Sequence, residues 1–190
     1  MIAELGYVAF CADIYGKGIR PTDPKETAER SGSFKSNLPL LRKRVNLAFD
    51  EMLKQSGVDK TKTAAIGYCL GGTPLLELGR AGPDVTGVVS FHGGLATSMP
   101  AAGGRVKTRV LVCHGADDPF VKPEEVAAFK AEMEKAKVSY EFISYPGAVH
   151  SFTKKAAGND KSKGTAYNAE ADKQSWLAMQ SFFGKIFGKK

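Results

Sequence analysis

The stretch from Thr63 to Tyr68 is apolar and strand-like, and it passes without a linker into Cys69-Leu70-Gly71-Gly72 and a helix reaching about Arg80. A strand that turns into a helix within so few residues forces its corner residue into a strained conformation. Gly67 and Gly71, two before and two after Cys69, keep side chains out of that crowded turn. Gly-x-Cys-x-Gly in this setting is the nucleophile-elbow pattern with cysteine in place of serine. A thiol at such a corner stands above a sheet at a helix N-terminus, where the dipole and free N–H groups favour a thiolate. The next N–H, that of Leu70, is placed to supply half of an oxyanion hole. Glycine-bounded cysteines also occur between strand and helix without chemistry, so the rest of the chain has to decide.

The remaining periodicities form a strand–helix alternation. Tyr7 to Ile14 reads as a buried strand ending at the turn Tyr15-Gly16-Lys17-Gly18, and a polar excursion follows to Asn37, with a short helix opening at Asp23-Pro24. Leu38, Leu41, Val45, Ala48, Phe49, Met52 and Leu53 recur at helical spacing, and Ser56-Gly57 closes that helix. Val85 to Phe91, Thr108 to Cys113 and Tyr140 to Ser144 read as further strands, with a Gly/Ala/Pro-rich loop from Gly93 to Arg105. Val126, Phe129, Met133 and Ala136 mark a helix opened by Pro123, and Trp176, Met179, Phe183 and Ile186 mark the last one. Alternation of this kind predicts an α/β fold with a mostly parallel sheet of about five strands between flanking helices. At 190 residues, one domain over 1–190 is expected.

Charge and cysteine usage narrow the function classes. The net charge of +7 invites a nucleic-acid reading, but the lysines are spread over helix faces, the late loop and the tail (Lys154, Lys155, Lys161, Lys163, Lys185, Lys189, Lys190). No arginine-rich, aromatic-interleaved stripe accompanies them, so a solvated surface is expected and nucleic acid is not. No apolar run approaches the ~20 residues that span a bilayer, and the opening Met1-Ile2-Ala3-Glu4-Leu5-Gly6 has no leader-like pattern. The three cysteines have no metal-ligand spacing, so no metal is expected, and a reducing, cytoplasmic setting follows. Cys11 and Cys113 lie in strand-like runs and read as small buried hydrophobes.

An acid and a base occupy the expected places after later strands. His114-Gly115-Ala116-Asp117-Asp118-Pro119-Phe120-Val121 follows the strand ending at Cys113. Of the two aspartates Asp118 is preferred, three residues past the turn glycine with Pro119 behind it; Asp117 is left as a solvated turn residue or a helix cap. His150 follows the strand ending at Ser144 in a Pro-Gly turn. His92 ends a strand and is a candidate for the pocket wall, and His114 is expected to brace the aspartate loop. Each histidine alone could be structural. The order Cys, Asp, His, each directly after a strand, makes the reading as a catalytic triad much stronger than any single member does.

Gly67-Tyr68-Cys69-Leu70-Gly71-Gly72, the Gly115–Val121 segment and Gly147-Ala148-Val149-His150-Ser151-Phe152 resemble, in order, three motifs of the dienelactone hydrolase family of α/β-hydrolases. Gly6-Tyr7-Val8-Ala9 and Asp13-Ile14-Tyr15-Gly16 resemble its segment before a short excursion. The resemblance implies a cytoplasmic, cofactor-free hydrolase of small esters or lactones with Cys69 as nucleophile, His150 as base and Asp118 as orienting acid. It also implies an N-terminally shortened fold, because family members carry roughly fifty residues ahead of the position matching Met1. Two substrate-gripping arginines of the family's namesake correspond to Lys17 and Lys154, which keep the charge but lose the bidentate fork. Tyr15, Phe34, Tyr68, His92 and Phe120 complete the expected pocket wall. The expected partner is a small ester or lactone, with a homodimer left open and no membrane. Two other classes stay open: a scaffold-like hydrolase fragment without turnover, and a redox-sensing thiol at Cys69.

Overall fold

A computed structural model describes residues 2–104 and 106–188; Met1, Arg105 and the tail residues Lys189 and Lys190 lie outside the described residues. The chain divides into two compact units, Met1–Thr61 and Lys62–Lys190.

In the first unit the Asp23 carboxylate accepts from the Lys25 and Glu26 N–H groups, and Pro24 opens α1 (Pro24–Ser36). This helix is longer than the short one expected. It is polar nearly all round, so apolar periodicity could not announce it; its cap and the Arg30–Glu26 pair at 2.8 Å support it instead. Asn37 then caps α2 (Leu38–Met52) through the Leu40 N–H, and Leu38, Leu41 and Val45 turn inward. Arg44 donates to the carbonyls of Ile14 and Tyr15 at 2.7 and 3.0 Å and lies over the Phe34 ring.

The expected strand from Tyr7 to Ile14 does not form. The segment is irregular, Val8 and Phe10 are 54% and 38% exposed, and Cys11 is exposed rather than buried. An apolar run becomes a strand only where a neighbour takes its backbone groups, and no ladder among the described residues includes it. The sheet therefore has four strands where about five were expected.

The second unit holds that sheet: β1 (Ala64–Tyr68), β2 (Gly87–Phe91), β3 (Arg109–Gly115) and β4 (Tyr140–Tyr145), parallel and in chain order. Parallel neighbours need a crossover between every pair. The crossovers carry α3 (Gly72–Ala81) between β1 and β2, and α4 (Pro123–Ala136) between β3 and β4; α5 (Ala169–Phe187) follows β4. Successive side chains of a strand point to opposite faces, and β2 shows the consequence. Val88 lies 3.5 Å from the position a side chain at Gly79 of α3 would take, while Gly87 faces Phe182 and Ile186 of α5. Both faces are covered, so the middle strands are mostly apolar, and all five residues of β2 are buried.

A buried ionic cluster ties α3 to α4. Arg80 donates to Glu77 and to both oxygens of Glu132 at 2.9 Å each, and to the Leu95 carbonyl at 2.7 Å. Glu132 also accepts from the Ala101 N–H and Glu125 from those of Leu95 and Ala96, which pins the loop after β2 to α4. The lysines read as surface, Lys154, Lys155, Lys161, Lys163 and Lys185, are all exposed. Among the described residues no helix is long and apolar enough to cross a membrane.

Candidate active site

Each strand of the parallel sheet releases one part of a cluster at its carboxyl end, the edge where open α/β sheets build their sites. Cys69 follows β1 directly, at φ 51 in left-handed backbone space that costs a non-glycine residue energy. The corner tolerates it because Gly67 sits against the Gly71 backbone and the Leu75 side chain, where a Cβ would find no room. His92 follows β2 at φ 42, and Ser151 adopts φ 60 after β4. Of the four non-glycine residues with positive φ among those described, three are at this edge; the fourth, Lys137, ends α4.

Asp118 follows β3 and is buried, while Asp117 beside it is exposed and caps no helix, since Lys122 precedes α4. Asp118 Oδ1 accepts from the Phe120 N–H and Oδ2 bonds His150 Nδ1, both at 2.9 Å. His150 is clamped between the Gly164 carbonyl, which accepts its N–H, and the Ala166 N–H, which donates to its carbonyl. The expected brace by His114 is not found. Its Nδ1 has no partner among the described residues and its ring packs on Phe142; the aspartate loop is held instead by Ala116 N–H to the Tyr145 carbonyl and Asp117 N–H to that of Ala148.

The metal-ligating atoms of Cys69, His92 and His150 lie within 4.8 Å of one another. Cys69 Sγ is 3.4 Å from His92 Nδ1 and 3.3 Å from Ser151 Oγ. His92 Nδ1 also accepts the Cys69 N–H at 3.2 Å, and its Nε2 lies 2.8 Å from Thr153 Oγ1. Burial pushes the Cys69 thiol up, but hydrogen bonding with His150 and the closeness of the His92 ring and the Ser151 hydroxyl outweigh it and bring the thiol down to about 5. Burial lowers His150, and its bonds to Asp118 and Cys69 raise it to about 9. Between those values the pair is a thiolate facing an imidazolium, a nucleophile already charged beside a proton donor.

The edge brings together several of the residues expected there. Tyr68 stacks on Phe91 with ring centroids 4.5 Å apart, and Phe120, 60% exposed, meets the His150 ring edge-on at 5.5 Å. Leu70 follows Cys69 in a short 3-10 turn, half-buried. Lys154 is exposed just beyond Thr153. Tyr15, Lys17 and Phe34 belong to the first unit, where Tyr15 and Phe34 stack on each other at 5.8 Å. Ser151 and Thr153 were not anticipated. Both lie within three residues of His150, but nothing in the residue types reveals that a positive φ turns Ser151 toward the sulfur.

A family model described as the dienelactone hydrolase family matches residues 1–187. The chain belongs to this family. Family membership makes it a hydrolase of the ester- and lactone-cleaving kind. A crystallised dienelactone hydrolase-like promiscuous phosphotriesterase from metagenomic libraries is 39% identical, superposes with a TM-score of 0.90, and is matched over 97% of this chain and 77% of its own. An uncharacterized protein of Caenorhabditis elegans is 32% identical over 166 residues, covering 85% of this chain and 99% of that one. A candidate carboxymethylenebutenolidase of Saccharolobus solfataricus is 28% identical over 139 residues, 72% of this chain and 48% of its own length.

Proposed function

We propose that the chain hydrolyses a small carboxylic ester or lactone through a Cys69–His150–Asp118 triad and a thioester acyl-enzyme. The observation that carries this reading is the bond from Asp118 Oδ2 to His150 Nδ1 at 2.9 Å, which leaves the other ring nitrogen for the side where the Cys69 thiol lies. The thiolate attacks the carbonyl carbon, and the developing oxyanion is held in part by the Leu70 N–H. His150, protonated at the start, gives its proton to the leaving oxygen. The now neutral imidazole takes a proton from water as that water attacks the thioester, and the collapse expels the Cys69 thiolate beside the restored imidazolium and releases the acid. Asp118 holds the ring in the tautomer and orientation both steps need.

Tyr68 and Phe120 offer aromatic walls beside the sulfur and the imidazole, which suits a small acyl or lactone ring. Lys154 offers a positive charge for an anionic substrate without a guanidinium's fixed fork. A nucleophile that works as a free thiolate belongs in a reducing compartment, and the cytoplasm is the setting we propose. A second substrate class, phosphotriesters, is favoured by the 39% identity to the promiscuous phosphotriesterase; the same thiolate would attack phosphorus in place of carbon. Initial rates on small aryl esters, a dienelactone and an aryl dialkyl phosphate, for wild type and Cys69→Ala, test the reading. Equal rates for the two would remove Cys69 from the chemistry, whereas peroxide-sensitive modification of Cys69 without turnover would make it a sensor thiol.

A further inference from the structure

We propose that Cys69, His92 and His150 form a reversible inhibitory site for a soft divalent cation of the zinc class, with His92 as the ligand that the hydrolytic reaction does not use. The inference rests on the reading above insofar as Cys69 and His150 carry the reaction; the site itself rests on geometry.

One sulfur and two imidazoles are donors that suit zinc, and no carboxylate competes in the set. Zinc bonds of roughly 2.0–2.3 Å in a tetrahedral arrangement put neighbouring donors about 3.5 Å apart. Cys69 Sγ and His92 Nδ1 are already at 3.4 Å, and all three donors fall within 4.8 Å, so small side-chain adjustments close the set.

Outer partners orient both rings as metal-bound histidines require. Such a histidine typically anchors its second nitrogen on a carboxylate, carbonyl, hydroxyl or water, which fixes the tautomer and aims the first nitrogen. His150 anchors Nδ1 on Asp118 at 2.9 Å, and His92 holds Nε2 at 2.8 Å from Thr153 Oγ1. His92 is itself buried and held in strained backbone at the end of β2, which points Nδ1 at the sulfur. Binding trades the hydrogen bond from the Cys69 N–H for a metal bond and sends the proton shared by sulfur and His150 to solvent. Three protein ligands leave a fourth position for water. The ion then holds the nucleophile's lone pair and the base's nitrogen together, so turnover stops until it leaves.

The 190-residue chain, stripped with a chelator, is titrated with Zn²⁺ by calorimetry and with Co²⁺ by absorption, and ester hydrolysis is followed in parallel. One ion per chain is expected, with a thiolate-to-Co²⁺ charge-transfer band that Cys69→Ser abolishes. Thr153→Val, which leaves all three ligands in place, should weaken Zn²⁺ binding roughly tenfold or more, and His92→Gln at least as much. Hydrolysis should fall in step with occupancy and return on chelation. Unchanged affinity in both His92→Gln and Thr153→Val, tight binding in Cys69→Ser, or activation by the ion would overturn the proposal. A chain that cleaves esters but binds no Zn²⁺ overturns the metal site alone. One that binds Zn²⁺ through Cys69 and cleaves nothing overturns the hydrolase reading and leaves the site standing.

Discussion

The carboxyl edge of the sheet and its interior each hold a cysteine, and the two thiols are driven in opposite directions. Cys113, in the middle of β3, is fully buried; burial pushes its thiol up to about 12, and the hydroxyl of Tyr145 at 3.7 Å does not offset this. Cys69, at the end of β1, is also largely withdrawn from water, yet its thiol comes down to about 5 because two imidazoles and a hydroxyl converge on the sulfur. Burial alone therefore makes a thiol inert. Burial with aimed donors makes it a nucleophile. The backbone shows the same division: the interior strands are regular, while left-handed residues gather at the edge. Interior packing supplies the stability that holds those costly conformations in place.

Removing the edge thiol should break the comparison most sharply. Cys69→Ala is expected to lower kcat on an aryl ester by about 10⁵-fold or to the limit of detection, while Cys113→Ala keeps wild-type kcat; steady-state kinetics on both variants checks this. Asp118→Asn comes next. It keeps the shape but loses the carboxylate that fixes the His150 tautomer, and kcat should fall by about 10⁴-fold.

The pH profile sharpens the contrast without any substitution. Iodoacetamide alkylation of Cys69 should rise with an apparent pKa near 5, because only the thiolate reacts and protonation below that value removes it. Cys113 should stay unmodified in the native protein across the neutral range. Hydrolysis should be bell-shaped: it falls below about 5 as the thiolate is protonated, and above about 9 as His150 loses the proton it must give the leaving oxygen. Peptide mass mapping after timed alkylation and a pH–rate series measure the two limbs.

Stability changes in the interior are the smaller effects. Arg80→Ala removes the buried guanidinium that bonds both Glu77 and Glu132 and should cost about 3–5 kcal/mol in urea unfolding. Gly67→Ala pushes a methyl group into the Gly71 backbone beneath the elbow and should cost about 1–3 kcal/mol, with a further loss of activity as Cys69 shifts.

The strands and helices of the second unit were legible because each carries its own local signal. β1 and β2 fall within the apolar runs read as strands, β3 and β4 overlap theirs and run on to Gly115 and Tyr145, and Cys69, Asp118 and His150 each follow one of them. Reading failed where an element depends on something distant. Tyr7–Ile14 has a strand's composition, but a strand requires a partner, and composition carries no information about partners. The polar helix α1 was underestimated because caps and ion pairs, rather than an apolar stripe, sustain it. His114 was expected to brace a loop that backbone groups hold without it.

By itself the sequence determined the parallel α/β layout, the glycines that permit the elbow and the chain order of thiol, carboxylate and imidazole, since all of these follow from neighbouring residues and period. Only the tertiary structure decided that Ser151 and Thr153 join them and that His92, expected in the pocket wall, brings a ring nitrogen to the sulfur. Their roles depend on positive φ angles and on strands side by side, which bring residues 69, 92 and 151 within a few ångströms though they lie far apart in the chain. Such convergence is a property of the folded sheet, and no local pattern of residue types encodes it.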